Sequence, residues 1–528
     1  MNAPGSLALR AGVAIASGLL LSAAFEPVAL PVLLPFGIAG LGWACSGLSV
    51  RRAALVGWLF GIAFYFTHIA WMRTSIGPDA WFGLATAESL FYGLTGAAVP
   101  VIRTLPAWPV WMAAVWTMIE GIRSTWPFSG MPWGRLSFAA IDTPVAPAVA
   151  YLGMTGLSFA LALLGFGLVW AFERRPGEGR ERWPRLALPV GVLAVLTIPA
   201  VAPYPVDEDG SVDVAAVQGN VPGPGNDILF DPRGVTANHV EATVSLADAV
   251  AAGRATQPDL VLWPENSTAV DPFDDSEVNE GIRTAVSAIG VPVLVGGIVS
   301  AGPDHVLNQG IVWDPITGPG ERYTKQHPVP YGEYIPFRDI WDPKFGQLSL
   351  ISRDMKSGSR TTPLPVDGAL IGDAICFDVA YDDVLDEQVR NGAQMLAVQT
   401  SNASFIFTHQ IEQQFAITRM RALEAGRWLV VASTNGRSGV IDAAGEVVAS
   451  ADPRTTAVIQ QRVGLSETLT PAIRMGDWPA RLFTLVSLLG LVLGTLAYRR
   501  RRQDAGFPTE PAPAEPAPSP STNEAPVA

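Results

Sequence analysis

Lysine is nearly missing from this chain: of 35 Lys and Arg residues, only Lys325, Lys344 and Lys356 are lysine. Cysteine is rarer still, with Cys45 and Cys376 alone, and charged residues make up only 16% of the 528 positions. Two cysteines cannot build a disulfide framework. Cys45 lies in the apolar stretch 33–48 and Cys376 in a polar part of the chain, so a bridge between them would require two solvents to meet, and both are expected to be free. The net charge is −13 and the only basic run is Arg499 to Arg502, which leaves no electrostatic footprint for nucleic acid. What is present in excess is apolar: 49% hydrophobic residues and a mean hydropathy of +0.28 lie outside the range of ordinary soluble proteins and require membrane segments. Yet acidic residues outnumber basic ones by 48 to 35 and gather after position 205, which marks a soluble domain.

Apolar runs of near-spanning length occupy about 8–25, 29–48, 53–72, 82–102, 106–121, 147–172, 186–203 and 482–498. The first resembles a signal peptide, but the spans behind it argue for a retained helix. Short loops rich in arginine stay on the cytoplasmic side. Arg51 and Arg52, then Arg103, then Arg174, Arg175, Arg180, Arg182 and Arg185, and finally Arg499 to Arg502 follow the second, fourth, sixth and eighth spans. Both termini are therefore expected to be cytoplasmic and the segment after the seventh span extracytoplasmic. Arg73, Arg123 and Arg135 are exceptions in outer loops, and Trp126 and Trp133 there read as an interfacial aromatic belt.

The polar segment alternates short β-branched or apolar runs (212–221, 259–265, 291–300, 309–314, 369–376, 394–400, 428–434) with helix-like stretches at 237–253, 277–290, 382–392 and 410–426, each ending in Gly. The expected organisation is a membrane domain of seven helices over 1–204, one layered α/β domain over 205–475, a C-terminal transmembrane helix with a basic anchor over 476–502, and a Pro-rich disordered cytoplasmic tail over 503–528.

Cys376 ends an apolar strand just before a helix, a corner where a nucleophile is held rigidly and can face oriented backbone N–H groups. A free thiol in an oxidising compartment favours chemical use over packing. Its base could be one of His239, His305, His327 and His409, which share no local signature, or Glu265, which ends the strand Leu-Val-Leu-Trp-Pro-Glu and would project at one edge of the same sheet. Because arginine serves nearly everywhere a positive charge is wanted, the few lysines invite a specific explanation. A compact ammonium can approach a tetrahedral oxyanion as a planar guanidinium cannot, and Lys325, in the strand-like Glu-Arg-Tyr-Thr-Lys-Gln, is the candidate.

Glu265, Lys325 and Cys376, in that order, resemble the Glu-Lys-Cys triad of the nitrilase superfamily. The surrounding words are more specific. Ala-Val-Gln-Gly-Asn-Val from 216, Leu-Trp-Pro-Glu-Asn from 262, Tyr-Thr-Lys-Gln-His-Pro-Val-Pro-Tyr-Gly-Glu-Tyr-Ile-Pro from 323, Ile-Cys-Phe-Asp from 375, Ser401-Asn402, Arg-Met-Arg-Ala-Leu-Glu from 419 and Phe-Ser-Gly-Met-Pro-Trp from 128 together resemble the apolipoprotein N-acyltransferases, over roughly residues 8–498. The resemblance implies a polytopic α-helical membrane domain joined to an extracytoplasmic α/β nitrilase-like domain (αββα) in a bacterial plasma membrane. It also implies a two-step reaction: Cys376 takes an acyl chain from a phospholipid donor as a thioester and passes it to the N-terminal amine of a diacylglyceryl-cysteine lipoprotein. Glu265 would be the general base, Lys325 the oxyanion partner, and Glu333 and Asp378 supporting carboxylates, with no metal or cofactor. The chain departs from the family in having Phe377-Asp378 where Tyr-Glu is common, Pro328 where Leu is usual, and an altered stretch between Ser401 and Arg419. The rival readings are a membrane-tethered nitrilase-like amidase with water as acceptor, and a non-enzymatic membrane scaffold.

Overall fold

A computed structural model describes residues 6–173, 183–343 and 346–504. Lys344, the basic residues Arg174, Arg175, Arg180 and Arg182, and the Pro-rich tail from 505 lie outside the described residues.

Each apolar run is a helix: α1 (Leu7–Ala23), α2 (Leu34–Ala44), α3 (Val50–His68), then after a single turn α4 (Met72–Ser75), α5 (Pro78–Ile102), α6 (Trp108–Thr125), α7 (Val149–Phe172), α8 (Trp183–Val201) and the C-terminal helix Trp478–Asp504. The helical span Ala146–Phe172, α3 and the C-terminal helix are long and apolar enough to cross a membrane by length and composition, and the apolar stretches 7–23, 31–44 and 185–201 are shorter. Lipid-like surroundings suit the surface: Val190, Val195 and Ile198 on α8 and Leu482, Leu485 and Val492 on the C-terminal helix are all exposed. Small residues let the inner helices touch. A Cβ on Gly57 of α3 would lie 2.3 Å from the Tyr92 carbonyl oxygen of α5, so only glycine permits that crossing.

Beyond α8 the chain forms two sheets. The first runs in the order β13, β1, β2, β3, β4, β5, with β6 (Asp354–Met355) pairing β4. Its strands are β1 (Gly210–Gln218), β2 (Leu260–Leu262), β3 (Val293–Ser300), β4 (His305–Asp314), β5 (Gly318–Thr324) and β13 (Ala457–Leu465). The second, in the order β12, β11, β10, β9, β8, β7, contains β7 (Leu364–Val366), β8 (Ala369–Ile375), β9 (Met395–Thr400), β10 (Leu429–Ser433), β11 (Gly439–Ile441) and β12 (Val447–Ser450). Each sheet has a parallel centre, β1-β2-β3 and β8-β9-β10, and antiparallel flanks. The sheets pack face to face, β1 on β10 and β4 on β8. Helices α9 (Pro232–Ala251) and α10 (Ser276–Ile289) bury their apolar sides on the first sheet, and α11 (Asp382–Arg390) and α12 (Gln410–Ala425) flank the second, which gives four layers in the order αββα. The parallel centres are apolar runs that the sequence reveals. Of the flanking strands, β4 and β5 are anticipated in part by the runs 309–314 and 321–326, whereas β6, β7, β11, β12 and β13, short or rich in polar residues such as Gln460, Gln461 and Arg462, are not.

Helix α12 is buried along nearly its whole length although it carries Gln410, Gln413, Gln414, Thr418, Arg421 and Glu424. It is sandwiched between the second sheet and α7, so its polar groups are partners rather than a solvent face. Glu424 accepts the backbone N–H of Met154 at 2.8 Å, immediately after the break in α7 at Gly153 (φ +67°). Arg419 forks onto Asp142 at 2.7 and 2.8 Å.

One expectation for the outer loops is corrected here, and two of their arginines prove to be buried and paired. Arg123 is buried and donates to the carbonyls of Met131 and Trp133 at 2.8 and 2.9 Å, and Arg135 pairs with Asp382 at 2.5 Å. Trp133 is not part of an interfacial belt: it is 1% exposed and stacks on Phe377, with ring centroids 5.6 Å apart. Trp126, by contrast, is exposed.

Candidate active site

The edges of the two sheets bring together residues far apart in sequence. Glu265 stands three residues past β2, so the strand stops short of it, and the Trp-Pro that intervenes turns it across the gap between sheets. A Cβ on Gly296 of β3 would sit 2.1 Å from the Pro264 carbonyl oxygen, which is why this close crossing needs glycine. The Glu265 carboxylate is held at both oxygens: Asn308 Nδ2 donates to Oε1 at 2.7 Å and the Ser401 backbone N–H to Oε2 at 2.9 Å.

Lys325 follows β5 directly, its backbone N–H bonded to the Asn308 carbonyl at 2.9 Å, and its side chain is completely buried. Its Nζ donates to Glu333 Oε1 at 2.6 Å and to Glu265 Oε1 at 3.3 Å. Burial alone would lower the ammonium pKa, but Glu265 and Glu333 outweigh it and hold the pKa well above the usual lysine value. Burial, reinforced by the like charge of Glu265, raises the Glu333 carboxyl above its ordinary range against the pull of Lys325. A loop carries Glu333, fixed where Val329 N–H donates to its Oε2 at 2.8 Å.

Cys376 begins a short 3-10 turn, Cys376–Ala380, at the end of β8, and its backbone is left-handed (φ +54°). That conformation is costly for a residue with a Cβ and is held here by the strand before and the turn after. The thiol is half-buried. Burial, then the negative charge of Glu265, push it up to about 12, while Lys325 and a hydrogen bond with the Thr400 side chain act in the opposite direction. The charges that reach Sγ are Glu265, Lys325 and Glu333. The candidate histidines are engaged elsewhere: His239 is buried against the Gly219 N–H and the Val235 carbonyl, His327 pairs with Asp383 at 3.0 Å, His409 lies 3.9 Å from Glu412, and His305 sits in β4.

Asp378 has a structural task that its sequence position does not announce. Its Oδ2 accepts the Tyr323 hydroxyl at 2.7 Å and the Gln326 N–H at 3.2 Å, and its Oδ1 accepts the His327 N–H at 2.9 Å. The turn that carries the thiol is thereby tied to the strand end that carries Lys325. Burial raises the Asp378 carboxyl, with Lys325 and His327 opposing. Asn308, Tyr323 and Thr400 escaped sequence reasoning: each lies inside a strand, where a polar residue carries no local signature. Among the described residues no cluster of His, Cys, Asp and Glu could hold a metal ion.

Known proteins resemble the chain in both halves. Residues 17–167 match the family described as the apolipoprotein N-acyltransferase N-terminal domain, and residues 213–469 match the carbon-nitrogen hydrolase family. An apolipoprotein N-acyltransferase of Mycolicibacterium smegmatis is 37% identical over 510 residues, 92% of this chain and 84% of that protein. The enzymes of the same name from Photobacterium profundum and Methylococcus capsulatus are 26% and 29% identical, each across 93% of this chain and 95% and 96% of their own. An amidase of the nitrilase superfamily from Nesterenkonia AN1, among solved structures, aligns at 16% identity with 53% of this chain and 99% of its own, with a TM-score of 0.35.

Proposed function

The chain belongs to the apolipoprotein N-acyltransferase family and N-acylates lipoproteins, and from that membership we propose how its α/β half does so: Cys376 carries the acyl group as a thioester between a phospholipid donor and the N-terminal amine of a diacylglyceryl-cysteine acceptor. The observation that supports this most is Lys325, buried between Glu265 and Glu333 in the pocket whose charges act on the thiol.

In the first step Glu265 takes the thiol proton as Sγ attacks the ester carbonyl carbon. A thiol raised to about 12 is protonated at neutral pH, so the base must act during attack. The carbonyl oxygen becomes an oxyanion beside the Lys325 ammonium, whose bonds to two carboxylates leave a third N–H for it. The C–O bond then breaks, the proton on Glu265 goes to the departing lysophospholipid oxygen, and the thioester remains. In the second step the amine attacks the thioester, Glu265 takes a proton from the nitrogen, and as the C–S bond breaks that proton passes to sulfur, which returns the thiol and the carboxylate. A thioester suits this traffic because it holds the acyl group while one bulky lipid leaves and another arrives. Glu333 positions the ammonium, and Asp378 joins the nucleophile's turn to the lysine's strand. Glu265, Lys325 and Cys376 contain all the chemistry, with no cofactor or metal in the scheme. The amidase reading is not favoured, since relatives named as acyltransferases match 92% of the chain, helical half included.

We place the protein in the bacterial plasma membrane with the α/β half on the extracytoplasmic face and both termini inside. Cys376→Ala should abolish transfer while membrane insertion persists, with Cys45→Ala near wild type. Full lipopeptide acylation by Cys376→Ala would refute the assignment.

A further inference from the structure

Thr400 closes β9 at the place opposite Cys376: the parallel register pairs Ile375 with Gln399, and the next residue of each strand is the thiol and the threonine. The two side chains share a hydrogen bond, and Thr400 is buried. Which of them donates is decided by what lies behind the threonine.

A chain of hydroxyls and amides runs to Thr400 from the loop after β10, and it starts at a backbone group whose direction cannot reverse. The Gly436 N–H donates to Ser433 Oγ at 2.8 Å. The Ser433 hydroxyl proton then goes to Asn402 Oδ1 at 2.9 Å, closer than its alternative, the Ser401 carbonyl at 3.4 Å. With its oxygen so placed, Asn402 turns Nδ2 toward Gln414 Oε1 at 2.7 Å, and that oxygen also accepts Gln410 Nε2 at 3.2 Å. Both lone pairs of Gln414 Oε1 are then filled, although it stands 3.4 Å from the Thr400 hydroxyl. The other end of the amide, Nε2, donates to Thr400 Oγ1 at 3.3 Å. The hydroxyl accepts there and keeps its own proton for Cys376 Sγ. Thr400, Asn402, Gln414 and Ser433 are all buried, so water does not compete for these positions.

We propose that Thr400 is a catalytic residue whose hydroxyl, aimed by Gln414, donates a hydrogen bond to Cys376 Sγ whenever the sulfur carries negative charge. The proposal rests on the acyl-enzyme reading above and adds to it a donor for sulfur, as Lys325 is the donor for the carbonyl oxygen. Sulfur is anionic twice in that scheme, as Sγ attacks the donor ester and as the C–S bond breaks on transfer to the amine, so one hydroxyl serves both steps. Thr400 gives up no proton: Glu265 takes the thiol proton and later returns one, and the hydroxyl keeps its own. The next residue serves the base, since the Ser401 N–H donates to Glu265 Oε2 at 2.9 Å. The end of β9 thus holds nucleophile and base with successive residues. Gln414 is the positioning residue, acting on sulfur only through the threonine.

The test uses the full-length protein in detergent and reads the Cys376 peptide by mass spectrometry in two ways. One is its rate of alkylation by iodoacetamide at about pH 9, which reports thiolate, and the other its rate of acylation by phospholipid. Thr400→Val keeps the side-chain shape and removes the donor, and it should slow both by about tenfold or more, the scale of a hydrogen bond to a charged group. Thr400→Ser restores the hydroxyl and should stay within about threefold of wild type. Gln414→Leu frees the hydroxyl to turn away and should slow alkylation by about threefold or more, yet add nothing in the presence of Thr400→Val. The charges of Glu265, Lys325 and Glu333 that reach sulfur are the same in every variant. Alkylation of Thr400→Val at the wild-type rate overturns the proposal, as does a Thr400→Ser variant as slow as Thr400→Val. Equal slowing by Gln414→Leu with and without Thr400→Val marks structural damage and overturns the part given to Gln414. Thr400→Ala carries the comparison with Thr400→Ser if Thr400→Val does not fold. If the wild-type peptide is alkylated but never gains an acyl mass from phospholipid, the acyl-enzyme reading falls and the catalytic role of Thr400 with it, whereas the alkylation rates still report the hydrogen bond.

Discussion

Lys325 has three N–H bonds, and two are committed to carboxylates at 2.6 and 3.3 Å. Arginine keeps the charge but spreads it over a planar fork that cannot occupy this fully buried site with the same two contacts. Lys325→Arg should slow both formation of the thioester and its transfer to amine by about 100-fold or more, the scale of one lost oxyanion donor. Lys356→Arg should stay near wild type, and if the two variants behave alike the ammonium assignment fails. The thiol makes a separate prediction. Its pKa is raised, so thiolate appears only at higher pH than in an ordinary cysteine of about 8.5. Alkylation of Cys376 by iodoacetamide should keep rising beyond pH 10, and a plateau near pH 8.5 would contradict the buried, carboxylate-facing site. At this scale Glu265, Lys325, Glu333 and Cys376 lie in recognisable words, and scarcity of lysine narrowed the cationic candidates to three, of which the strand-like position chose Lys325, the one the structure buries between Glu265 and Glu333. The role of Asp378 was not readable, because three of its donors, Tyr323, Gln326 and His327, lie more than fifty positions earlier.

Elements were legible where burial leaves a pattern and obscure where it does not. The strands of the two parallel centres read as apolar runs, and α10 as a helix closed by Gly290 in the left-handed conformation. The 3-10 turn Cys376–Ala380, which sets the backbone of Cys376, has no periodicity to detect. That turn predicts its own dependence. Asp378→Ala leaves the Tyr323 hydroxyl and the Gln326 and His327 N–H groups without their acceptor, at about 1–3 kcal/mol for each buried group left unpaired. A lower thermal midpoint and loss of thioester formation are expected, and an unchanged midpoint would show that another acceptor takes over. Helix α12 is a similar case: its sequence reads as helical, but not as the buried layer between two domains, since Gln413 and Trp133 are 280 positions apart and Arg419 and Asp142 are 277 apart.

The whole molecule joins a helical bundle to an αββα sandwich through the loops at one end of the bundle. The turns around Glu26, Trp71 and Trp133 meet α12, while at the opposite end Arg103 lies against Glu173 and Arg501 reaches the Thr104 carbonyl. Arg103 and Arg501 thus sit at the end opposite the sandwich, the distribution expected when arginine marks the cytoplasmic side, whereas Arg123 and Arg135 are buried and paired at the sandwich end. Reporters fused near residues 210 and 470 should be extracytoplasmic and one fused after 503 cytoplasmic, and a cytoplasmic signal at 210 would overturn the count of seven spans before the sandwich. The central claim is that Cys376 carries the acyl group, and mass spectrometry of the Cys376 peptide tests it most directly. After incubation of the full-length protein with phospholipid alone, that peptide should gain the mass of one fatty acyl group in a hydroxylamine-labile bond, and addition of a diacylglyceryl lipopeptide should move the same mass to the lipopeptide amine. Acylated lipopeptide produced while the Cys376 peptide never carries an acyl mass, in wild type or at quenched early times, would contradict the account.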